Sequence, residues 1–498
     1  MTKLNKKLIF YIIGMLLVFN GGAMIISSFV SVLFDDGVLK EIAFGAISLI
    51  IIGALIMTFS KNNIRQINKR DGYVIVTIGW LTMVFSGMLP YYLTGSINSF
   101  SNLFFETMSG YTTTGSTILN DIEALPKSII FWRSMTQWIG GMGIIVLAIA
   151  ILPLLGIGGM QLFSAEAPGI SSDKIHPRIS DTAKRLWIIY VGLTFTETIL
   201  LKIAGMSFFD AINNSMSNIA SGGFSSRNES IGYWNDIPLI QYIIILFMFL
   251  AGTNFVLIYF GITGKIKKII QDTEFKWYLT LISSFAIMAT ITLYFYVDLS
   301  LTDVNHPQVY GKFESSLRHA LFQVVAIITT TGFVTGDFIS WGPFLTMFFF
   351  GIMFLGGSSG STSGGVKILR HLILIKNGFL EFKRSLHPNA IFPLRHNNSV
   401  VEKPIIIHVL AFFILYLILF IVGAGVLSLL GLDFVSAIGG AASSIGNVGP
   451  ALGTLGPISN FDSLPELGKY WCSFLMLIGR LELFTVLILF TPFFWRDH

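Results

Sequence analysis

The sequence predicts an all-α polytopic membrane protein with four pseudo-repeats, because of its composition and one recurring segment. Hydrophobic residues make up 53% of the 498 residues and charged residues only 12%, whereas soluble domains have roughly 25% charged residues. Mean hydropathy is +0.74. The recurring segment combines glycine with small hydroxyl residues. Its four copies, which we call the glycine loops, are TTTGST at 112–117, ASGGFS at 220–225, TTTGFV at 329–334 and SSIGNV at 443–448.

Ten apolar runs are candidates for membrane-spanning helices, because most of them exceed the roughly 20 residues that a span needs. In chain order they are 8–34, 42–59, 73–93, 129–155, 186–204, 239–262, 277–297, 344–355, 405–430 and 471–494. The first run follows Lys3, Lys6 and Lys7, as in a signal peptide. It is too long for the apolar core of a signal peptide and leads directly into a second run. We therefore expect it to be a retained helix.

The placement of charge predicts that the amino terminus is cytoplasmic. With that start, most of the 32 Lys and Arg residues fall in cytoplasmic segments, as the positive-inside rule requires. The opposite segments carry acidic residues such as Asp121, Glu229 and Asp236, which suit the collection of cations. The net charge of +5 therefore reflects topology and does not indicate nucleic-acid binding. The single cysteine, Cys472, argues against a disulfide framework and a cysteine-based zinc site.

The glycine loops recur at a nearly constant interval. Taking Gly115, Gly222, Gly332 and Gly446 as equivalent gives spacings of 107, 110 and 114 residues. Such regularity indicates an internal fourfold repeat. Four loops around one axis, with carbonyl groups turned inwards, can replace the hydration shell of potassium. The pattern therefore predicts a cation pore.

Each glycine loop follows a segment that is too short or too polar to span a membrane. These segments are 100–110, 208–220, 312–328 and 434–443. Irregular backbone at membrane depth is tolerated where it is buried in protein or lines a wet cavity, and the carboxyl end of a half-helix presents partial negative charge to a cation. A single such loop would more often be an ordinary turn between spans. Four copies in matched context favour half-helices that enter a pore.

Four longer motifs are more specific than the glycine loops. They are RSMTQWIGGMGIIVL at 133–147, APGISSDKIHPRISDTAKRLW at 167–187, GGSSGSTSGGVK at 356–367 and GRLELFTVL at 479–487. Together with the glycine loops they resemble the membrane subunit of the Trk and Ktr potassium-uptake systems. The resemblance covers essentially the whole chain and implies potassium uptake. The two apolar runs before the first repeat are similar to the TrkH branch. The implied architecture has ten full spans and four half-helices.

This architecture divides the chain into five segments. Residues 1–70 are expected to hold two extra helices. The four pore repeats are expected at 71–185, 186–276, 277–403 and 404–498, and the third of them contains an intramembrane loop at 356–365.

The resemblance implies that twelve residues form the selectivity filter. They are Thr113, Thr114, Gly115, Ala220, Ser221, Gly222, Thr330, Thr331, Gly332, Ser444, Ile445 and Gly446. Glycine permits the backbone angles that turn carbonyl groups inwards. Because Ile445 has no hydroxyl, the inner hydroxyl ring is expected to be incomplete. We therefore expect potassium permeation with looser discrimination against rubidium and sodium than a strict potassium channel shows.

A run rich in glycine and serine, which we call the Gly-Ser loop, interrupts the second span of the third repeat. Its residues are Gly356, Gly357, Ser358, Ser359, Gly360, Ser361, Thr362, Ser363, Gly364 and Gly365. This composition breaks a helix and predicts a buried intramembrane loop rather than a flexible linker or a phosphate-binding loop. The resemblance implies that the loop is a gate beneath the filter. The other three repeats are expected to remain helical at this point.

Arg480 is expected near mid-membrane in the last span. A charge there costs about 2.5–3.5 kcal/mol on insertion scales, so it should face the interior of the protein. One interpretation is a structural ion pair with Glu482 or Glu197. The resemblance implies instead that Arg480 belongs to the gate, where its charge repels cations.

The sequence does not favour an enzyme, because it lacks the common hydrolase, metalloprotease and nucleotide-binding motifs. We expect no cofactor bound by this chain and no ATP-driven transport. The resemblance implies a homodimer in the bacterial inner membrane and a cytosolic TrkA-like ring that binds NAD(H) or other nucleotides. That ring would dock on the basic inner face near His387 and Arg395, although such a face also suits anionic lipid.

Three alternatives share some of these features. A symporter of potassium with protons or sodium would have the same fold and a second ion site, for which Glu197 or Glu106 could carry a proton. A secondary transporter of organic solutes often has inverted repeats, whereas these repeats all have one orientation. A membrane scaffold without transport would leave Arg480 and the glycine loops unexplained.

Overall fold

The computed structural model describes residues 4–60, 69–146, 179–299, 306–397 and 399–496. This part of the chain is mostly helical and has almost no strand, which confirms the predicted fold class. Its two strands, β1 (Arg395–His396) and β2 (Ser399–Val400), form one short antiparallel hairpin.

The helices of the described residues are numbered in chain order. They are α1 (Lys6–Phe34), α2 (Leu39–Ser60), α3 (Lys69–Gly87), α4 (Leu89–Leu93), α5 (Phe100–Tyr111), α6 (Lys127–Val146), α7 (Ile179–Ile203), α8 (Phe208–Ile219), α9 (Pro238–Ala251), α10 (Phe255–Ile262), α11 (Ile266–Gln271), α12 (Thr273–Tyr296), α13 (Lys312–Ile328), α14 (Pro343–Ile352), α15 (Ile368–Leu386), α16 (Lys403–Leu429), α17 (Phe434–Gly446), α18 (Glu466–Arg480), α19 (Phe484–Leu487) and α20 (Pro492–Trp495).

Six helical segments in the described ranges are long and apolar enough to cross a membrane. They are Lys6–Phe34, Leu39–Ser60, Arg70–Leu93, Ala183–Ile203, Thr273–Tyr296 and Lys403–Leu429. Two bent pairs raise the number to eight if each pair is one span. The expected ten full spans are therefore too many for the described residues. The run 344–355 contains the ten-residue α14, which is too short to cross, and the end of the run 129–155 lies outside the described residues.

The four predicted half-helices are α5, α8, α13 and α17, with 12, 12, 17 and 13 residues. The first three end within one residue of their predicted ends. The fourth continues three residues further than predicted, to Gly446. The first three half-helices lead directly into their glycine loops, and the fourth includes the first four residues of its loop. The predicted order of elements is confirmed.

The helices that follow the second and fourth glycine loops are broken. The chain turns by 109° between α9 and α10 and by 110° between α18 and the helical turn that follows it. Our expectation that these repeats remain helical is therefore wrong. In the second repeat, Asn254 accepts a hydrogen bond from the Val256 amide and starts a new helix. In the fourth repeat, Glu482 and Leu483 adopt positive φ angles of 59° and 49°, which end α18.

The two amino-terminal helices pack through glycine. A Cβ on Gly14 of α1 would lie 2.7 Å from the carbonyl oxygen of Gly53 on α2, so the two backbones approach as closely as small residues allow. Asn20 then joins α1 to the first repeat. It donates to the Ser86 hydroxyl at 2.7 Å and accepts from the Tyr111 hydroxyl at 2.6 Å.

Candidate functional site

The four half-helices end in the same backbone turn. After each helix, within two residues of its end, a single residue takes a left-handed conformation, and a glycine with positive φ stands two positions after that residue. The left-handed residues are Thr113, Ser221, Thr330 and Asn447, with φ between 51° and 54°, and the glycines are Gly115, Gly223, Gly332 and Gly449, with φ between 76° and 100°. This shared geometry defines which residues of the four repeats are equivalent.

The backbone hydrogen bonds show the same equivalence. In the first repeat, the Thr113 amide donates to the Gly110 carbonyl and the Thr114 amide donates to the Ser109 carbonyl. The same two bonds, three and five residues back along the chain, recur in every repeat. In the fourth repeat the donors are Asn447 and Val448. The equivalent triplets are therefore 113–115, 221–223, 330–332 and 447–449.

Two of the glycines chosen from the sequence are thus misaligned. In the second repeat the equivalent glycine is Gly223 and not Gly222. In the fourth repeat it is Gly449 and not Gly446, because α17 runs through Ser444, Ile445 and Gly446 and turns only at Asn447. Ser444 and Ile445 therefore lie in a helix, as does Gly446, and the argument from the missing hydroxyl of Ile445 no longer applies.

A sequence pattern could have revealed this alignment. Each turn has a small polar residue, then any residue, then glycine, and Asn and Gly are the residues that most readily tolerate positive φ. In the fourth loop the polar residue is an asparagine, Asn447, and Val448 and Gly449 follow it. Segment 443–448 resembles the other glycine loops in its serine and glycine content, and this resemblance directs attention to Gly446 instead of Gly449.

The four loops form a closed ring through their glycines. A Cβ on Gly115 would overlap the carbonyl oxygen of Gly222, and the same holds for Gly223 with Thr331 and for Gly332 with Val448. On Gly449 it would lie 2.7 Å from the carbonyl oxygen of Thr114. Each loop therefore contacts the next through a glycine and a carbonyl group, and no larger residue fits at these positions.

One cavity of about 170 Å³ borders all four of these glycines. It meets a second cavity of about 550 Å³ at Asn228, and the second cavity is lined by Glu229 and Asp236. A hydrogen bond from the Asn228 side chain at 3.0 Å lowers the pKa of the Asp121 carboxyl below its ordinary value. The ring thus opens to a chamber with acidic residues in its wall, which suits the collection of cations.

Buried hydroxyl groups surround the ring. The Thr112 and Thr114 hydroxyls lie 2.8 Å apart, and so do those of Thr329 and Thr331. The Asn447 amide donates to the Thr114 hydroxyl at 2.9 Å. At the position before each glycine, however, the residues are Thr114, Gly222, Thr331 and Val448. The hydroxyl set at that position is therefore incomplete.

A buried ion pair supports the first and second loops from behind. The Arg133 guanidinium contacts the Glu106 carboxylate at 2.9 Å, and both side chains are almost fully buried. Arg133 also donates to the Ser225 carbonyl at 3.2 Å and lies over the Phe224 ring at 4.1 Å. Glu106 accepts a hydrogen bond from the hydroxyl of Thr117, which is the last residue of the first loop. One charged pair therefore links the outer ends of two adjacent loops.

The Gly-Ser loop lies against the left-handed residues of the ring. The Thr362 hydroxyl is 3.0 Å from the Ser221 hydroxyl, and the Gly364 amide donates to the Thr330 hydroxyl at 2.6 Å. The loop side chains Ser358, Ser359, Ser361, Thr362 and Ser363 are buried, which confirms the predicted buried loop. Its position places it directly beside two of the four loops.

Three further contacts anchor the Gly-Ser loop. The Ser358 amide donates to the Gly252 carbonyl at 2.9 Å, at the break between α9 and α10. The Ser359 amide donates to the buried Glu274 carboxylate at 2.6 Å. The Lys367 ammonium contacts the Ser363 carbonyl. These bonds satisfy backbone groups that the missing helix leaves free.

Arg480 contacts the Gly-Ser loop directly. Its guanidinium donates to the Thr362 carbonyl at 2.8 Å and to the Gly140 carbonyl at 3.4 Å, and the residue is 3% exposed. Glu482 instead pairs with Arg370, and Glu197 accepts from Asn218 at 2.5 Å. The contacts of Arg480 therefore join the loop to α6, and the expected ion-pair partners are engaged elsewhere.

Four half-helices with one closed ring of loops define a class of membrane proteins in which pseudo-equivalent repeats surround a central passage. The TrkH family model, described as a cation transport protein, matches residues 39–496. The chain belongs to this family.

Relatives in this family match over nearly their full length. The Trk system potassium uptake protein TrkH of Escherichia coli K12 is 38% identical over 489 residues, which are 98% of this chain and 98% of that protein. The protein of the same name from Halomonas elongata is 36% identical and covers 99% of this chain and 100% of its own length. The crystal structure of the potassium transporter TrkH from Vibrio parahaemolyticus matches with a TM-score of 0.86, at 35% identity over 98% of this chain and 99% of that one.

Proposed function

We propose that this chain takes up potassium across the bacterial inner membrane, with its amino terminus in the cytoplasm. The observation that carries the proposal is the closed ring of four glycines and four carbonyl groups. The relatives named as potassium uptake proteins support the choice of ion. The membrane potential supplies the free energy, about 2.3 kcal/mol per charge at 100 mV.

In this proposal the selectivity filter is the ring itself. The carbonyl groups of Thr114, Gly222, Thr331 and Val448 bind the dehydrated ion. Thr113, Ser221, Thr330 and Asn447 place polar side chains at the inner end of the ring. Rubidium passes with potassium because the ring selects by size and field strength, and sodium passes weakly.

The Gly-Ser loop and Arg480 form the gate in this proposal. The loop lies against Ser221 and Thr330, and Arg480 holds it through the Thr362 carbonyl. A positive charge beside the passage repels a cation. Small residues allow the loop to move aside with little loss of packing.

Regulation comes from a partner in this proposal. A cytosolic ring that binds NAD(H) or another nucleotide acts on the inner face of a homodimer, where α15 ends in Lys383 and Arg384. Anionic lipid contacts the same basic surface. The family resemblance supports these assignments.

Voltage-driven rubidium flux into liposomes that contain the purified chain tests the gate. We expect Arg480→Ala, and separately deletion of 358–363, to raise the flux, while Lys202→Ala, at an exposed position near the end of α7, leaves it unchanged. Flux that neither change raises, in protein that remains folded, would contradict the gate.

A symporter of potassium with protons or sodium is the second candidate function. The observation that favours it is Glu197, whose carboxyl is fully buried and has one oxygen without a hydrogen-bond partner among the described residues. The same liposomes distinguish the two functions. Uptake that requires a proton or sodium gradient, and that Glu197→Gln uncouples, would establish the symporter.

A further inference from the structure

The side chain of Gln137 lies behind the ring, at a position where the other three repeats have methionine. The helices after the glycine loops align at Gly140, Ala251, Gly356 and Gly479. Gly140 and Gly479 both lie directly against the last turn of a half-helix, at the carbonyls of Tyr111 and Ile445. Three residues before these aligned positions stand Gln137, Met248, Met353 and Met476.

Gln137 uses both ends of its side chain on the second loop. Its Nε2 donates to the Gly222 carbonyl at 2.6 Å, and its Oε1 accepts from the Phe224 amide at 3.0 Å. The residue is fully buried. The two bonds therefore hold the backbone on either side of Gly223, the ring glycine of this repeat.

The second loop needs such support more than the first and third. Thr114 and Thr331 each carry a hydroxyl that bonds to the threonine two residues earlier. Gly222 stands at the equivalent position and has no side chain, and Gly223 follows it, so this backbone is the least restricted of the four. A side chain on Gly222 is excluded, because its Cβ would lie 2.5 Å from the Gln137 amide carbon.

The Gly222 carbonyl is also one of the four ring carbonyls, since it lies against Gly115. A carbonyl oxygen has two lone pairs. One of them accepts the Gln137 amide, which fixes the direction of the group, and the other is left for an ion in the ring.

We propose that Gln137 is a positioning residue that determines ion discrimination by holding the Gly222 carbonyl. The inference rests on the proposed function in one respect, that the ring carbonyls bind the transported ion. It predicts that loss of the amide affects the ratio between ions more than the total flux.

The test compares sodium, potassium and rubidium flux in liposomes for Gln137→Met and Gln137→Leu. Methionine copies the other three repeats and removes both hydrogen bonds. Leucine also removes both hydrogen bonds and brings no charge to this buried position. We expect both variants to raise the sodium-to-potassium flux ratio about fivefold, the effect of losing the one hydrogen bond to the Gly222 carbonyl. Met248→Leu, at the equivalent buried position, should leave the ratio unchanged.

A sodium-to-potassium flux ratio that is unchanged in both variants would overturn the proposal. An equal loss of flux for all three ions would also overturn it, because it would indicate a structural role alone. Gly223→Ala separates this result from a failure of the ring itself. If Gly223→Ala transports potassium with unchanged rate and selectivity, the ring is not the filter. If Gly223→Ala abolishes selective flux while the Gln137 variants remain normal, the ring stands and Gln137 has no such role.

Discussion

The most restricted residues of the ring are the glycines, because their backbone conformation and close contacts exclude every other amino acid. Gly449 combines a φ of 100° with close approach to the Thr114 carbonyl. Gly446, three residues earlier, is an ordinary helical residue, and the nearest atom to its Cβ is at 3.2 Å. The two glycines therefore make a matched pair, one inside the ring and one in the half-helix.

We expect Gly449→Ala to reduce potassium flux about tenfold or more, because a left-handed alanine costs roughly 1–2 kcal/mol before the collision with Thr114 is counted. Gly446→Ala should keep flux within about twofold, since alanine suits a helix and its Cβ requires the Val448 side chain and the Met353 carbonyl to move by only a few tenths of an ångström. Both are measured as rubidium uptake into liposomes. If Gly446→Ala lost more rubidium uptake than Gly449→Ala, the result would favour Gly446 as the fourth ring glycine, as the sequence suggested.

The limits of sequence reasoning are clearest at this scale. Threonine runs mark the first and third loops, and the glycines they indicate, Gly115 and Gly332, are the ones with positive φ in the structure. In the second and fourth loops the sequence favours the wrong glycine. The second loop contains two adjacent glycines, and the fourth contains Gly446 as well as Gly449, so that each sequence allows two alignments. The positive φ angles of Ser221 and Gly223, and the backbone hydrogen bonds of the turn, distinguish Gly223 from Gly222. The hydrogen bonds of Gln137 could not be predicted either, because its partners Gly222 and Phe224 lie 85 and 87 residues away in the sequence.

At the scale of elements, the Gly-Ser loop replaces a helix and must have its backbone groups satisfied by neighbours. Composition alone predicted the interruption. It did not predict that α9 and α18 also end at this depth, because the breaks depend on Asn254 and on two positive φ angles in the fourth repeat. The break after α9 exposes the Gly252 carbonyl that accepts from Ser358. The bends and the loop are therefore parts of one arrangement.

Glu274 is the acidic anchor of this loop, through its hydrogen bond to the Ser359 amide. We expect Glu274→Ala to raise voltage-driven flux about fivefold, because losing this hydrogen bond, worth about 1 kcal/mol, frees one side of the loop. Glu402→Ala is the control, since that residue precedes α16 without a side-chain capping bond. Flux that stays at the wild-type level in folded Glu274→Ala protein would show that the anchor does not hold the gate.

At the scale of the whole molecule, the fourfold repeat and the two added helices were evident from the sequence. Spacing and composition are properties of the entire chain, so small errors of register do not disturb them. The structure adds how the amino-terminal pair attaches, through Gly14 against Gly53 and through Asn20 against Tyr111 at the end of the first half-helix. The pair therefore supports the first repeat directly.

Two glycines of α1 test that attachment. Gly14→Ala should lower the free energy of unfolding by about 1–3 kcal/mol, because its Cβ would collide with the Gly53 backbone. Gly22→Ala has open space around it and should be neutral or stabilising by up to about 1 kcal/mol. Thermal unfolding of the purified protein in detergent measures both. Equal effects would mean that α1 and α2 do not depend on this contact.

The most direct measurement of the central claim is the position of rubidium in the protein, by anomalous diffraction from crystals grown in rubidium salt. The claim is that the four glycine loops form the ion path. It predicts a rubidium peak bounded by the carbonyl groups of Thr114, Gly222, Thr331 and Val448, which is lost in Gly449→Ala. Crystals of the wild-type protein that bind rubidium elsewhere, with none inside the ring, would contradict it.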